Sequence, residues 1–107
     1  MTTLLQTPDV DQMLRVVADP VRSRIVSLLA AEQLCTCHIV ELTGAKQTNV
    51  SNHLRALREA GVVAAEPAGR YTYYRLLPHV PRLLAQHFAD LAAAADAGPP
   101  QRRRPCD

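Results

Sequence analysis

Apolar residues recur at helical spacing through the first half of the chain, switch to a period of two, and then return to helical spacing. Val10, Met13, Leu14 and Val17 fall on one face of a first helix. Its start is predicted at Thr7 as N-cap with Pro8 at the first helical position, which sets Asp9 and Asp11 near the positive end of the helix dipole. Asp19-Pro20 repeats the start signal for a second helix, with Val21, Ile25, Leu28 and Leu29 as its buried stripe and Arg22 and Arg24 turned to solvent. A short third helix is expected from about Thr36 to Thr43, with Thr36 as N-cap and Gly44 as the left-handed residue that ends it.

The fourth helix begins near Gln47 or Thr48 and ends at Gly61, and Val50, Leu54 and Leu57 form its apolar stripe. Its outward face carries Gln47, Thr48, Asn49, Ser51, Asn52, Arg55 and Arg58, residue types suited to base edges and phosphates. His53 lies beside the apolar stripe as a half-buried packing or hydrogen-bonding residue, and is counted with the DNA-contacting set. Val62–Ala65 and Tyr71–Leu76 then read as two strands joined by a turn-rich tip, Glu66–Arg70. Arg70 beside Gly69 at that tip is placed to probe a phosphate or the minor groove, with Tyr71 next to it. A last helix starts near Pro78 to Pro81, lined on one side by Leu83, Leu84, His87, Phe88 and Leu91, and its alanine run ends near Ala97.

This order of elements predicts a mainly α fold with a β-hairpin, a winged helix-turn-helix. The domain covers residues 1–97, and 98–107 is an Arg- and Pro-rich tail, expected to be mobile, that carries a cysteine. So few elements bury little on their own. The apolar faces left over on the first and last helices (Met13, Leu14, Val17, Leu84, His87, Phe88 and Leu91) are therefore assigned to a homodimer interface. A two-fold dimer would present its two fourth helices to half-sites about 34 Å apart, one turn of DNA.

Composition narrows the function. At 107 residues the chain is one domain, and a hydrophobic content of 48% excludes a disordered chain. No apolar run is long enough to span a bilayer, and the N-terminus lacks the pattern of a signal peptide, so no membrane partner and a cytoplasmic location are expected. The net charge is only +2, and Lys46 is the single lysine, so the distribution of arginine carries the case for nucleic acid. Three cysteines in a reducing compartment do not make a disulfide framework; ligand or redox chemistry suits them better. An enzyme is not expected: there is no Cys-x-x-Cys, no oxyanion-binding glycine loop and no clear base beside a cysteine.

Asp19-Pro20-Val21-Arg22, Glu32-Gln33-Leu34-Cys35-Thr36-Cys37, Gln47 through Leu54, Leu57 through Gly61, Gly69-Arg70-Tyr71 and Tyr73 through Leu76 together resemble the ArsR/SmtB metal-sensing repressors, over roughly Val10 to Ala95. The resemblance implies a dimeric repressor that binds double-stranded operator DNA and leaves it when an inducer binds. Cys35-Thr36-Cys37 is similar to the arsenic-sensing branch, whose ligands sit at the start of the third helix; Val40 stands where that branch often has a further cysteine. The lead- and cadmium-sensing branch adds N-terminal cysteines, which this chain does not have. The zinc-sensing branch uses Asp and His on the last helix, where this chain has Pro78-His79 and then apolar residues.

The resemblance thus implies As(III) or Sb(III) as inducer, with no organic cofactor, and derepression of an arsenic-resistance operon. These ions bind thiolates in a three-coordinate pyramid, and soft ions favour Cys generally. Cys35 and Cys37 supply two sulfurs, and the N–H groups and dipole at a helix start favour thiolate. Cys106 is taken as the third ligand, from its own or the partner subunit, with Arg102–Arg104 favouring its ionised form; a small thiol such as glutathione is the substitute. Ion capture would then distort the first turn of the third helix and carry the two fourth helices out of register with the DNA grooves. His38, His79 and His87 are read as surface, helix-end and interface residues. A cadmium- or lead-responsive repressor, and a thiol-redox switch pairing Cys106 with Cys35 or Cys37, are the alternatives on the same fold.

Overall fold

The computed structural model describes residues 9–98 and 102–106. Eight elements follow in order: α1 Val10–Ala18, α2 Pro20–Ala31, β1 Leu34–Cys35, α3 Thr36–Thr43, α4 Gln47–Glu59, β2 Val63–Ala68, β3 Tyr71–Leu76 and α5 His79–Ala97. The strands form one antiparallel sheet in the order β1-β3-β2. This is the expected winged helix-turn-helix order with one addition, the two-residue strand β1.

Asp9 caps α1 by accepting the backbone N–H of Asp11 at 3.0 Å. The helix therefore starts at Val10, two residues later than predicted, while Thr7 and Pro8 lie outside the described residues. At α2 the Asp19-Pro20 signal holds. Asp19 accepts from the N–H groups of Val21 (2.8 Å) and Arg22 (3.1 Å), and Pro20, with no N–H to satisfy, takes the first helical position. N–H groups left unpaired at a helix start bind best to an ionised acceptor. The hydrogen bond from Arg22, reinforced by that from Val21 and by the nearby Arg22 charge, outweighs desolvation and holds the Asp19 carboxyl below the usual range.

Arg22 does not face solvent. It reaches back to the Val16 carbonyl at 3.3 Å and donates from Nε to His53 Nδ1 at 3.1 Å, tying α1, α2 and α4 together. Arg24 is exposed and donates to the Leu42 carbonyl at 3.1 Å.

The core is one cluster centred on Ile25, Ile39, Val50, Leu54, Leu57, Val62, Val63 and Val80, with Met13, Leu29 and Leu34 at its edge. The predicted stripes of α2 and α4 supply five of these eleven residues: Ile25, Leu29, Val50, Leu54 and Leu57. Gly44, with φ at +74°, ends α3 and turns the chain into α4; Thr43 braces the turn by donating to the Ile39 carbonyl at 2.7 Å and accepting from Ala45 N–H at 3.2 Å. The hairpin is longer than predicted. Glu66, Pro67 and Ala68 pair with Tyr73, Thr72 and Tyr71, so only Gly69-Arg70 is left as loop. Gly69 takes φ +65°, which a two-residue loop with glycine first requires. Pro67 is tolerated because β2 is an edge strand. Among the described residues no helix is long and apolar enough to cross a membrane.

Candidate inducer site and nucleic-acid interface

Cys35 has two structural duties. It is the last residue of β1, paired with Tyr73, and it is the N-cap of α3, the place predicted for Thr36. Strand pairing buries it (4% exposed), while Cys37, two residues into the helix, is exposed. The rise of the first helical turn brings the two sulfurs together at 2.7 Å. His38, one turn after Cys35, folds back on it. Its Nδ1 accepts the Cys35 backbone N–H at 3.2 Å and lies 3.4 Å from the Cys35 sulfur. Its ring lies against Tyr73 with centroids 6.0 Å apart.

One donor atom from each of Cys35, Cys37 and His38 falls within 4.8 Å of the other two. His38 is therefore half-buried beside the thiols rather than a plain surface residue. Its spacing, three residues after Cys35 at a helix start, was the available signal. Cys106 is exposed and is not a member of this group.

The two thiols differ in acidity. Burial opposes ionisation of Cys35, but hydrogen bonds from the Cys37 thiol and from the N–H groups of His38 and Cys37 outweigh it and lower its pKa below that of an ordinary thiol. The same thiol–thiol hydrogen bond, with burial and the Cys35 charge, pushes Cys37 up. The pair therefore holds one thiolate more readily than two. Two sulfurs with an adjacent imidazole nitrogen make a donor set that suits soft or borderline ions.

The thiols open onto a cleft of about 320 Å³, whose other walls are Gln47 at the start of α4 and Arg70, Tyr71 and Tyr74 of the hairpin. Farther along α4, Gln47, Thr48, Asn49, Asn52, Arg55 and Arg58 are exposed, and Ser51 is half-buried. Ser51, Arg55 and Arg58 line a second polar cleft, of about 340 Å³, with Tyr74. Arg70 and Tyr71 stand exposed at the hairpin tip. His53 is set apart from this face: it is half-buried, accepts from Arg22, and its Nε2 lies 4.0 Å from the Asp19 carboxylate. The packing part of its reading is what the structure shows.

Of the residues assigned to a dimer face, Met13 is only 4% exposed and belongs to the protomer's own core, because α1 packs against α2 and α4 as well as α5. Leu14, Val17, Leu84 and His87 are half-buried. Phe88 and Leu91 are each 53% exposed on α5, with the His87 ring edge-on to Phe88 at 5.3 Å.

Residues 19–65, the span from the α2 cap into the hairpin, match the family described as bacterial regulatory proteins of the arsR family. The arsenic resistance transcriptional regulator ArsR1 of Pseudomonas putida is 41% identical over 66 residues, 61% of this chain and 52% of that protein. The transcriptional repressor SmtB homolog of Synechocystis is 31% identical over 94 residues, 88% of this chain and 71% of its own length. The chain thus spans about half the length of the first of these relatives. A crystal structure described as a possible transcriptional regulator for arsenical resistance superposes with a TM-score of 0.68 at 33% identity, covering 82% of this chain and 98% of the other. With a capped α2, a Gly44 turn leading into a polar-faced α4, a hairpin, and these likenesses across almost the full fold, the chain belongs to the ArsR family of bacterial regulatory proteins.

Proposed function

We propose that the chain is a transcriptional repressor, acting in the cytoplasm as a homodimer, that holds operator DNA through α4 and the hairpin and releases it when a soft ion binds at Cys35 and Cys37. The observation that carries this reading is the thiol pair itself: two sulfurs in contact at a helix start, one thiol acidified, opening on a cleft that contains Gln47 and Arg70. Gln47, Thr48, Asn49, Ser51, Asn52, Arg55 and Arg58 would meet bases and phosphates, and Arg70 and Tyr71 the flanking backbone. Phe88 and Leu91, with Leu14, Val17, Leu84 and His87 beside them, would close the dimer, since apolar side chains of that size are seldom left so exposed together.

The inducer we favour is As(III) or Sb(III), bound by three thiolates with Cys106 of either subunit as the third. Arsenic resistance in the relatives' names supports it. A second reading has a specific observation behind it. His38 already stands beside both sulfurs, and a set of two thiolates and one imidazole suits cadmium or another borderline ion better than As(III).

Fluorescence anisotropy on DNA from the chain's own promoter, with arsenite, antimonite, cadmium and lead as titrants, separates the readings. Release by arsenite that is lost in Cys35→Ser, Cys37→Ser and Cys106→Ser supports the trithiolate site. Release by cadmium that is lost in His38→Ala and kept in Cys106→Ser supports the mixed site. Tight ion binding with DNA affinity unchanged would refute both.

A further inference from the structure

The strand β1, which no periodicity in the sequence announces, joins Cys35 to the hairpin as well as to the helix. Leu34 and Cys35 pair with Tyr74 and Tyr73 of β3, and β3 begins immediately after the hairpin tip. His38 touches the same strand through Tyr73. The cleft in front of Cys37 is walled by Arg70 and Tyr71. From these contacts we propose that an ion held by Cys35 and Cys37 acts on DNA binding through the wing, displacing Arg70 and Tyr71 from the position in which they meet the DNA backbone. This rests on the reading of the thiol pair as the inducer site.

The competing route runs through α3 and the Gly44 turn into α4. By way of the turn it is longer, and it is stiffer. The turn lies at the far end of α3, eight residues or about 12 Å from the thiols at 1.5 Å per residue. The neighbouring strand in a sheet lies only about 4.8 Å away. Beyond the turn, α4 is locked by Val50, Leu54 and Leu57, which are 0–1% exposed, so reorienting it means repacking the centre of the core. The wing has no such anchor at its tip: Glu66 through Tyr71 are all exposed. An ion and its remaining ligand have to occupy the space in front of Cys37, and the wall that can yield is the Arg70 side. Gln47, also in the lining, is the first residue of the locked helix.

The quantity that decides is the coupling factor, the ratio of DNA dissociation constants with and without saturating arsenite (or cadmium, whichever releases the wild type). Such factors are typically about 5–150-fold. It is measured for the wild-type chain and for Arg70→Ala, Gln47→Ala and Arg55→Ala, each at a salt concentration low enough to bind DNA, with ion affinity of the free protein titrated separately. The expected result is that Arg70→Ala still binds the ion but its coupling factor falls toward one, while Arg55→Ala and Gln47→Ala keep the wild-type factor. A wild-type factor in Arg70→Ala, or a factor lost in Gln47→Ala instead, overturns the wing route and leaves the inducer site standing. A wild-type protein whose DNA affinity ignores every ion removes the inducer site, and this inference with it.

Discussion

Replacing Gly44 by alanine isolates one physical cost. The residue sits at φ +74° between the helix that carries the thiols and the helix that carries the polar face. A Cβ built there meets nothing within 4 Å, so no clash contributes. The cap hydrogen bond from Gly44 N–H to the Val40 carbonyl, 2.9 Å, survives the change, as do both Thr43 hydrogen bonds. What remains is the left-handed backbone itself, which costs an L-residue about 1–2 kcal/mol. Alanine also restricts the unfolded chain, which offsets about 0.4–1 kcal/mol of that. The expected net loss is about 1 kcal/mol. Urea unfolding, followed by circular dichroism at a fixed protomer concentration, should show the midpoint lowered by about 0.5 M with the slope unchanged, for slopes of ~1–3 kcal/mol/M. Gly44→Asn should lose less, because Asn visits the left-handed region more readily. An alanine variant as stable as the wild type would show that the turn does not need a left-handed residue. A loss above about 3 kcal/mol would show that the space around it is not open, since overpacking costs of that size need a clash.

Arg58→Ala should weaken operator binding across sequences and flatten the dependence of log affinity on log salt by about 0.9 for each phosphate no longer neutralised; an unchanged slope would take Arg58 off the phosphate backbone. The thiol pair should titrate in two steps by ultraviolet thiolate absorbance, the first below the range of a free thiol and the second above it, because the Cys37 thiol stabilises the Cys35 thiolate and the second charge must form beside the first. In Cys37→Ala the Cys35 step should move up in pH, as burial then acts with one fewer hydrogen bond against it; a step that stayed put would rule out thiol–thiol hydrogen bonding as the cause. Phe88→Ser combined with Leu91→Ser should shift sedimentation toward the monomer without lowering helix content, since both side chains are largely outside the protomer core; an unchanged mass at dilute protein would take both side chains out of any dimer interface.

Helix positions and the wing were legible because each rests on local rules. The Asp19-Pro20 start, the Gly44 stop and the Val50–Leu54–Leu57 stripe are set by neighbours within one or two turns, and all three hold in the fold. Sequence and structure part where a distant partner decides. Arg22 has the pattern of a solvent-facing charge, and only the packing of α4 against α2 puts His53 within reach of its guanidinium. Met13 fits an exposed seam on α1 until the other helices pack around that side. Glu66–Ala68 reads as part of a turn because Pro67 lies in it and Gly69 follows it, whereas pairing with β3 extends the strand to the last residue before the tip.

The Cys-x-Cys shows the same division. The Thr36 cap signal and the Gly44 stop predicted that two thiols would lie at a helix start, where backbone N–H groups favour thiolate, and that a polar helix would follow the turn. They could not determine that Leu34-Cys35 would form a strand, because two residues carry no period and gain their hydrogen bonds only from a partner about forty positions away, Tyr73 and Tyr74. That pairing buries one thiol and leaves the other open, turns His38 back onto the first, and sets the pair beside Arg70. Local preferences therefore placed the two thiols at the helix start, and the long-range ladder decided which wall of the molecule they face and that His38 stands beside them.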